Sequence, residues 1–165
     1  MPKMRTTRLD GPGGARVELR GGFALPMPAR RAFGLFTARG EELWVPGWVP
    51  RFPVEGADDL EPGTVWTTLD DDGRLTTWVV LAAEPPRSVR YARVAERWTA
   101  GTVAVELSDE ADGCRVEVAY DLTALTDEAA AALPGFAEGY PDYVASWRAA
   151  ILAHVESGGA MPDPA

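Results

Sequence analysis

The apolar positions of the last long segment, about residues 126–156, recur every three or four residues. They are Phe136, Tyr140, Val144, Trp147, Ile151 and Val155. This spacing forms one apolar stripe along an α-helix. Thr126 suits the N-cap, and Asp127 and Glu128 follow in the first turn, where negative charge favours the helix dipole. The pattern therefore predicts one long helix near the C-terminus.

Upstream of this helix, apolar and polar positions alternate, which is typical of half-buried β-strands. The first predicted strand is 15–25, and its Gly21-Gly22 pair predicts a bulge or bend. Turn residues separate the later strands, as in the Asp- and Gly-containing hairpin at 70–73. The six later strands are predicted at 51–55, 64–69, 74–83, 87–95, 99–107 and 114–125.

Two short helices are predicted between the first two strands, one following Pro28 and one at about 40–45. A lone long helix after such strands packs into the concave face of their sheet. The predicted class is therefore α+β helix-grip, in which a curved seven-stranded antiparallel sheet wraps round the long C-terminal helix. The predicted organisation is a flexible leader at 1–14, a single domain at 15–157 and a flexible tail at 158–165.

Composition excludes several other classes of function. The formal net charge of −9 argues against nucleic acid as a partner. One Cys and one His cannot form an internal disulfide or a usual zinc site, so we expect no metal and no cofactor. No apolar run is long enough for a membrane span, and no signal-peptide core is present, so a cytoplasmic location is expected.

Aromatic side chains fall on the elements that should face the groove between the sheet and the long helix. Large aromatics either fill a core or line a small-molecule cavity that contains a few polar groups. The sequence alone leaves both interpretations open. The predicted ligand-binding residues are Trp66, Trp78, Tyr91, Arg93, Tyr120, Phe136, Tyr140, Tyr143 and Trp147.

Arg93 is the polar residue of greatest interest, but its direction depends on the phase of its strand. If Tyr91 faces inward, strict alternation places Arg93 inward as well; in the opposite phase Arg93 lies in solvent. An inward Arg must pair with an acid or meet an anionic ligand group. Thr67 and Thr77 are further candidates for hydrogen bonding on the sheet.

Several motifs resemble those of the bacterial SRPBCC superfamily, which includes START-like, polyketide cyclase/dehydrase and lipid-transport proteins. They are Gly-Glu-Glu-Leu-Trp-Val-Pro-Gly-Trp-Val-Pro at 40–50, Thr-Trp-Val-Val at 77–80 and Pro-Pro-Arg at 85–87. Trp44 and Trp48, within the first motif, either gate the groove or anchor a rigid loop. One feature departs from the pattern: Pro134 and Pro141 predict that the final helix breaks or bends between them.

This resemblance implies a bacterial protein that binds a small apolar molecule, aromatic, polyketide-like or lipid-like, between the sheet and the long helix. The first alternative is a cyclase, aromatase or dehydratase that uses the same cavity, with Arg93, Tyr120 and Tyr140 as its candidate catalytic residues. The second is a protein-interaction module of the chaperone-activator kind. The expected partner is thus a small apolar molecule, with no membrane insertion, and a homodimer is left open.

Overall fold

Seven antiparallel strands form one sheet that holds a single long helix. The structure, a computed structural model, describes the backbone of residues 5–8 and 15–165 and the side chains of residues 15–165. The strand order in the sheet is β1-β2-β7-β6-β5-β4-β3, and the long helix α2 packs on β2 and β7. This arrangement confirms the helix-grip prediction. The strands are β1 (Arg5–Arg8), β2 (Ala15–Leu25), β3 (Val65–Leu69), β4 (Leu75–Glu84), β5 (Ser88–Ala95), β6 (Thr99–Glu110) and β7 (Gly113–Ala124).

The helical elements are two short stretches after β2 and the long C-terminal helix. They are α1 (Ala29–Ala32), which continues into a 3-10 helix (Phe33–Phe36), a second 3-10 helix (Gly40–Leu43) and α2 (Asp127–Glu156). The side chain of Thr126 caps α2 by accepting a hydrogen bond from the Ala129 N–H at 3.2 Å. The predicted N-cap is therefore confirmed.

The strand count of seven is right, but one member differs from the prediction. The segment 51–55 is not a strand, and only Arg51 pairs with Thr67 in an isolated bridge. Pro53 lies in this segment, and a proline cannot donate to a ladder of hydrogen bonds. The seventh strand is instead Arg5–Arg8, which pairs with β2 from within the predicted leader. The remainder of that leader lies outside the described residues.

The predicted break in the final helix is wrong. Helix α2 runs without interruption from Asp127 to Glu156, with Pro134 and Pro141 inside it. Each interior proline costs about 3 kcal/mol because it removes a helical hydrogen bond. Leu133 and Ala137 are buried on the same stretch of the helix. Their packing against the sheet offsets this cost and keeps the helix in one piece.

Gly21 allows α2 to pack closely against the sheet, and the bulge predicted at this position does not form. The pairing of β2 with β7 continues without a shift through Gly21 and Val118. A Cβ atom at position 21 would lie 3.3 Å from Cε1 of Tyr140 and 3.4 Å from Cγ2 of Val144. The absent side chain is what lets the helix lie this close to the strand.

The segment predicted as a flexible tail is packed against the domain. The N–H of Ala165 donates a hydrogen bond to the Arg30 carbonyl at 2.9 Å. The imidazole Nε2 of His154 donates to the Ala160 carbonyl at 2.6 Å, and Met161 contacts the core. These contacts hold the chain end against α1 and the end of α2.

Candidate functional site

A cavity of about 490 Å³, here called the main cavity, lies between the concave face of the sheet, α2 and the loop that follows the second 3-10 helix. Its volume is within the range of about 300–1,000 Å³ that is usual for small-molecule sites. Side chains from all three parts of the fold line it. The aromatic ones are Trp44, Trp48, Trp66, Trp78, Tyr91, Tyr120, Phe136, Tyr143 and Trp147.

Strand register builds the aromatic wall on the sheet side. Trp66 of β3 pairs directly with Trp78 of β4, so alternation places both indoles on the concave face. Their rings stack with centroids 6.2 Å apart, and Tyr91 meets Trp66 edge-on at 5.2 Å. The Tyr91 hydroxyl donates a hydrogen bond to the Phe36 carbonyl at 2.8 Å. This bond ties the wall to the short helices.

The structure settles the phase of β5 that the sequence left open. Tyr91 is 3% exposed and Val94 is 46% exposed, so the phase with Tyr91 inward is the one adopted. Arg93 consequently lines the main cavity. Its guanidinium carbon lies 5.4 Å from the ring centroid of Trp78, within the range of a cation–π contact.

Arg93 has few polar partners for a cation in this position. One terminal nitrogen donates to the Thr99 hydroxyl at 3.3 Å, and the buried Nε has no partner. Among residues 15–165, no carboxylate forms an ion pair with Arg93. A partly buried guanidinium without a counter-charge is poorly solvated. An anionic group in the cavity would restore the missing interaction.

Tyrosines form the wall on the helix side. The hydroxyls of Tyr120 and Tyr143 lie 3.2 Å apart and share a hydrogen bond. Phe136 meets Tyr120 edge-on at 5.8 Å. Burial raises the pKa of Tyr120 well above its ordinary value, and the neighbouring Tyr143 raises it further. The Tyr120 hydroxyl therefore stays protonated and serves as a hydrogen-bonding group rather than a base.

Tyr140 lies apart from the other predicted site residues. Its hydroxyl donates to the Val118 carbonyl at 2.6 Å, and its ring packs over Gly21 in the core. It is absent from the cavity wall, whereas the other eight predicted ligand-binding residues line it. Because its hydroxyl is already bonded inside the core, Tyr140 is not placed to touch a molecule in the main cavity.

Trp44 and Trp48 anchor the loop after the second 3-10 helix. The Trp44 indole donates to the Leu35 carbonyl and the Trp48 indole to the Ala38 carbonyl, both at 2.7 Å. Trp44 also meets Trp147 edge-on at 5.3 Å, which ties the loop to α2. Both indoles line the main cavity, so these anchors hold part of its wall in place.

The threonines that face the cavity are Thr68 and Thr76, not Thr67 and Thr77. Strict alternation requires this, because Trp66 and Thr67 cannot both point to the same face. Thr68 accepts a hydrogen bond from the Trp78 indole at 3.0 Å. Both inward threonines are buried and line the main cavity.

Glu41 is a candidate site residue that the sequence analysis missed. It lines the main cavity from the second 3-10 helix and is half-buried. Burial raises the pKa of its carboxyl well above the ordinary value, and the nearby Asp59 carboxylate raises it further. The spacing from Glu41 to Trp44, three residues in a predicted helix, could have indicated that both share one face.

A second, smaller cavity of about 300 Å³ lies beyond Arg93 and Phe136, which line both spaces. Its wall includes Leu122 from β7 and Leu133 from α2. Arg93 and Phe136 therefore form part of the partition between two cavities.

Replacing Glu41 with Gln should stabilise the protein at about pH 8 and leave its stability nearly unchanged near pH 4, close to the ordinary Glu pKa. With a raised pKa, the native state holds a proton that the unfolded state has already released. Stability is therefore lost as pH rises through this window. Because the amide of Gln is neutral, Glu41→Gln removes this loss of stability. Urea denaturation at both pH values measures the effect.

The matched control for this prediction is Glu42→Gln, because Glu42 is exposed beside Glu41. It should leave the free energy of unfolding nearly the same at both pH values. An equal gain in both variants would attribute the effect to net charge instead of to the buried carboxyl.

The comparisons with known proteins identify structural relatives but no sequence relatives. No protein-family model matches the chain, and no curated protein is significantly similar to it. Among solved structures, ginseng major latex-like protein 151 from Panax ginseng is similar with a TM-score of 0.62 and 17% identity, over 84% of this chain and 97% of its own. DynU16, from the dynemicin biosynthetic locus, has a TM-score of 0.59 and 15% identity, over 90% of this chain and 49% of its own.

CalU16 from Micromonospora echinospora is a third structural relative. It has a TM-score of 0.51 and 17% identity, over 73% of this chain and 67% of its own. At such low identities the similarity shows a shared fold and nothing about a shared ligand. The helix-grip architecture is thus common to proteins from plant and bacterial sources.

The part of the chain that the structure describes contains no helix with the length and apolar character needed to span a membrane. Within the same residues, no group of three or more His, Cys, Asp or Glu side chains is arranged to hold a metal ion.

Proposed function

We propose that the protein belongs to the SRPBCC superfamily and binds a small apolar molecule, aromatic, polyketide-like or lipid-like, in the main cavity. The observation that carries this proposal is the convergence of eight predicted residues on one cavity that also contains the unpaired cation of Arg93. Aromatic walls favour a planar apolar body, and Arg93 favours an anionic substituent. Two structural relatives support the same class of fold: DynU16, from the dynemicin biosynthetic locus, and ginseng major latex-like protein 151.

The proposal predicts that 2-naphthoate, a planar aromatic carboxylate, raises the melting temperature of the protein. A ligand at 100 times its Kd stabilises the native state by about 2.7 kcal/mol. Ala150 of α2 lines the main cavity, so Ala150→Phe should fill it and abolish this rise. Thermal unfolding with increasing 2-naphthoate measures both effects.

The control is Ala149→Phe, which adds the same side chain on the exposed face of α2. It should retain the full rise in melting temperature. If Ala150→Phe retains the rise as well, the ligand binds outside the main cavity and the proposal is wrong.

The alternative function is an enzyme of the cyclase, aromatase or dehydratase type, and Glu41 favours it. Such chemistry needs an acid or base close to the substrate, and Glu41 is a carboxyl on the cavity wall. The interaction-module alternative expects a filled groove, so the open main cavity speaks against it.

A further inference from the structure

The carboxyl of Glu41 has no partner, because the polar groups near it bond to other residues. Asp59 accepts a hydrogen bond from the Arg39 N–H at 3.0 Å and lies 3.8 Å from the Arg39 guanidinium. The Tyr91 hydroxyl donates to the Phe36 carbonyl. Among residues 15–165, the Glu41 side chain has neither an ion pair nor a hydrogen bond, and it lines the main cavity.

Glu41 and Arg93 both line the main cavity but form no ion pair with each other. Tyr120 lines the same cavity, and its pKa is lowered by the charge of Arg93 and raised by that of Glu41. An acid, a cation and a tyrosine thus border one aromatic cavity. A ligand that lies between them can meet a proton acceptor and a positive charge at the same time.

We propose that Glu41 is a catalytic base that removes a proton from the carbon next to the carbonyl group of an aromatic ketone bound in the main cavity. This inference rests on the proposed function, because the ketone must first bind there. The carbon–hydrogen bond breaks, its electron pair forms a carbon–carbon double bond, the π pair of the carbonyl moves to its oxygen, and the proton passes to the Glu41 carboxylate. Arg93 stabilises the resulting enolate oxygen, and return of a proton from Glu41 restores the ketone.

The surroundings of Glu41 suit this role better than those of the tyrosines. A carboxyl whose pKa is raised by burial and by Asp59 is a stronger base once it has lost its proton. The hydroxyls of Tyr91 and Tyr120 have raised pKa values and remain protonated. The Tyr91 hydroxyl already donates to the Phe36 carbonyl. The Tyr120 hydroxyl shares its hydrogen bond with Tyr143, so it can donate to an enolate together with the guanidinium of Arg93.

The test uses 1-tetralone, a bicyclic aryl ketone, in D2O with the full-length protein. Proton NMR follows the loss of its signal from the carbon next to the carbonyl, compared with protein-free buffer, and titration measures its Kd. We expect the protein to speed deuterium exchange by about 100-fold or more, a usual contribution of one general base. The rate should rise with pH as the Glu41 carboxyl loses its proton and then level off.

Glu41→Gln separates the role in catalysis from a role in binding. Glutamine keeps the shape and hydrogen bonding of the protonated acid but cannot accept a proton, so exchange should fall to the buffer rate with Kd unchanged. Glu42→Gln should exchange like the unaltered protein. Retained exchange in Glu41→Gln, or bound 1-tetralone that does not exchange, overturns the inference and leaves the proposed function intact. Failure of 1-tetralone to bind overturns the inference, and the proposed function falls with it only if 2-naphthoate also fails to bind.

Discussion

Replacing Trp66 with Ala should lower the free energy of unfolding by about 3–5 kcal/mol, the usual cost of removing a buried tryptophan. Trp66 is only 1% exposed and stacks on Trp78. It also packs edge-on against Tyr91 and lies 5.8 Å from the Phe52 ring. Truncation removes all these contacts together and enlarges the main cavity. Urea denaturation followed by circular dichroism measures the loss.

Val65→Ala on the same strand is the control for Trp66→Ala. Val65 is 38% exposed, so its truncation should change the free energy of unfolding by about 0.5 kcal/mol or less. A loss in Trp66→Ala as small as that of the control would show that the Trp66 side chain is not packed as described.

The elements with one buried face could be predicted from the sequence. Strand β7 buries alternate residues without exception, and helix α2 buries most of one stripe, so the period of burial is visible as a period of apolar residues. The predicted bounds of 126–156 and 114–125 accordingly agree with Asp127–Glu156 and Gly113–Ala124.

The two strand errors arise where pairing does not depend on side-chain pattern. The sequence of β1, Arg-Thr-Thr-Arg, has no apolar residue, because an edge strand can be held by its backbone hydrogen bonds alone. In contrast, 51–55 alternates as a strand does, yet Val54 is 70% exposed. The alternation of apolar and polar residues in this segment does not correspond to a buried face.

In the candidate site, the aromatic residues could be predicted and the charged ones could not. Trp66, Trp78 and Tyr91 follow from alternation on neighbouring strands. The phase of Arg93 depends on how β5 pairs with β4, including an irregularity between Val80 and Ala82 that no local pattern reveals. The raised pKa of Glu41 depends on burial and on Asp59, which is distant in sequence.

Replacing Arg93 with Met should weaken the binding of 2-naphthoate by about 10- to 100-fold, because a hydrogen bond to a charged group contributes about 1.5–3 kcal/mol. The binding of 2-acetylnaphthalene, a neutral molecule of similar shape, should change little. Methionine preserves most of the apolar contact with Trp78 but carries no charge. Isothermal titration calorimetry with both ligands measures the difference in selectivity.

Arg90→Met supplies the matched control, since Arg90 lies on the same strand but is exposed and borders a pocket on the outer face. It removes the same charge from β5 without touching the main cavity, so both ligands should bind as they do to the unaltered protein. If Arg93→Met weakens the binding of both ligands equally, the side chain of Arg93 acts by packing against Trp78. Loss of 2-naphthoate binding alone would instead identify its guanidinium as the anion-binding group of the cavity.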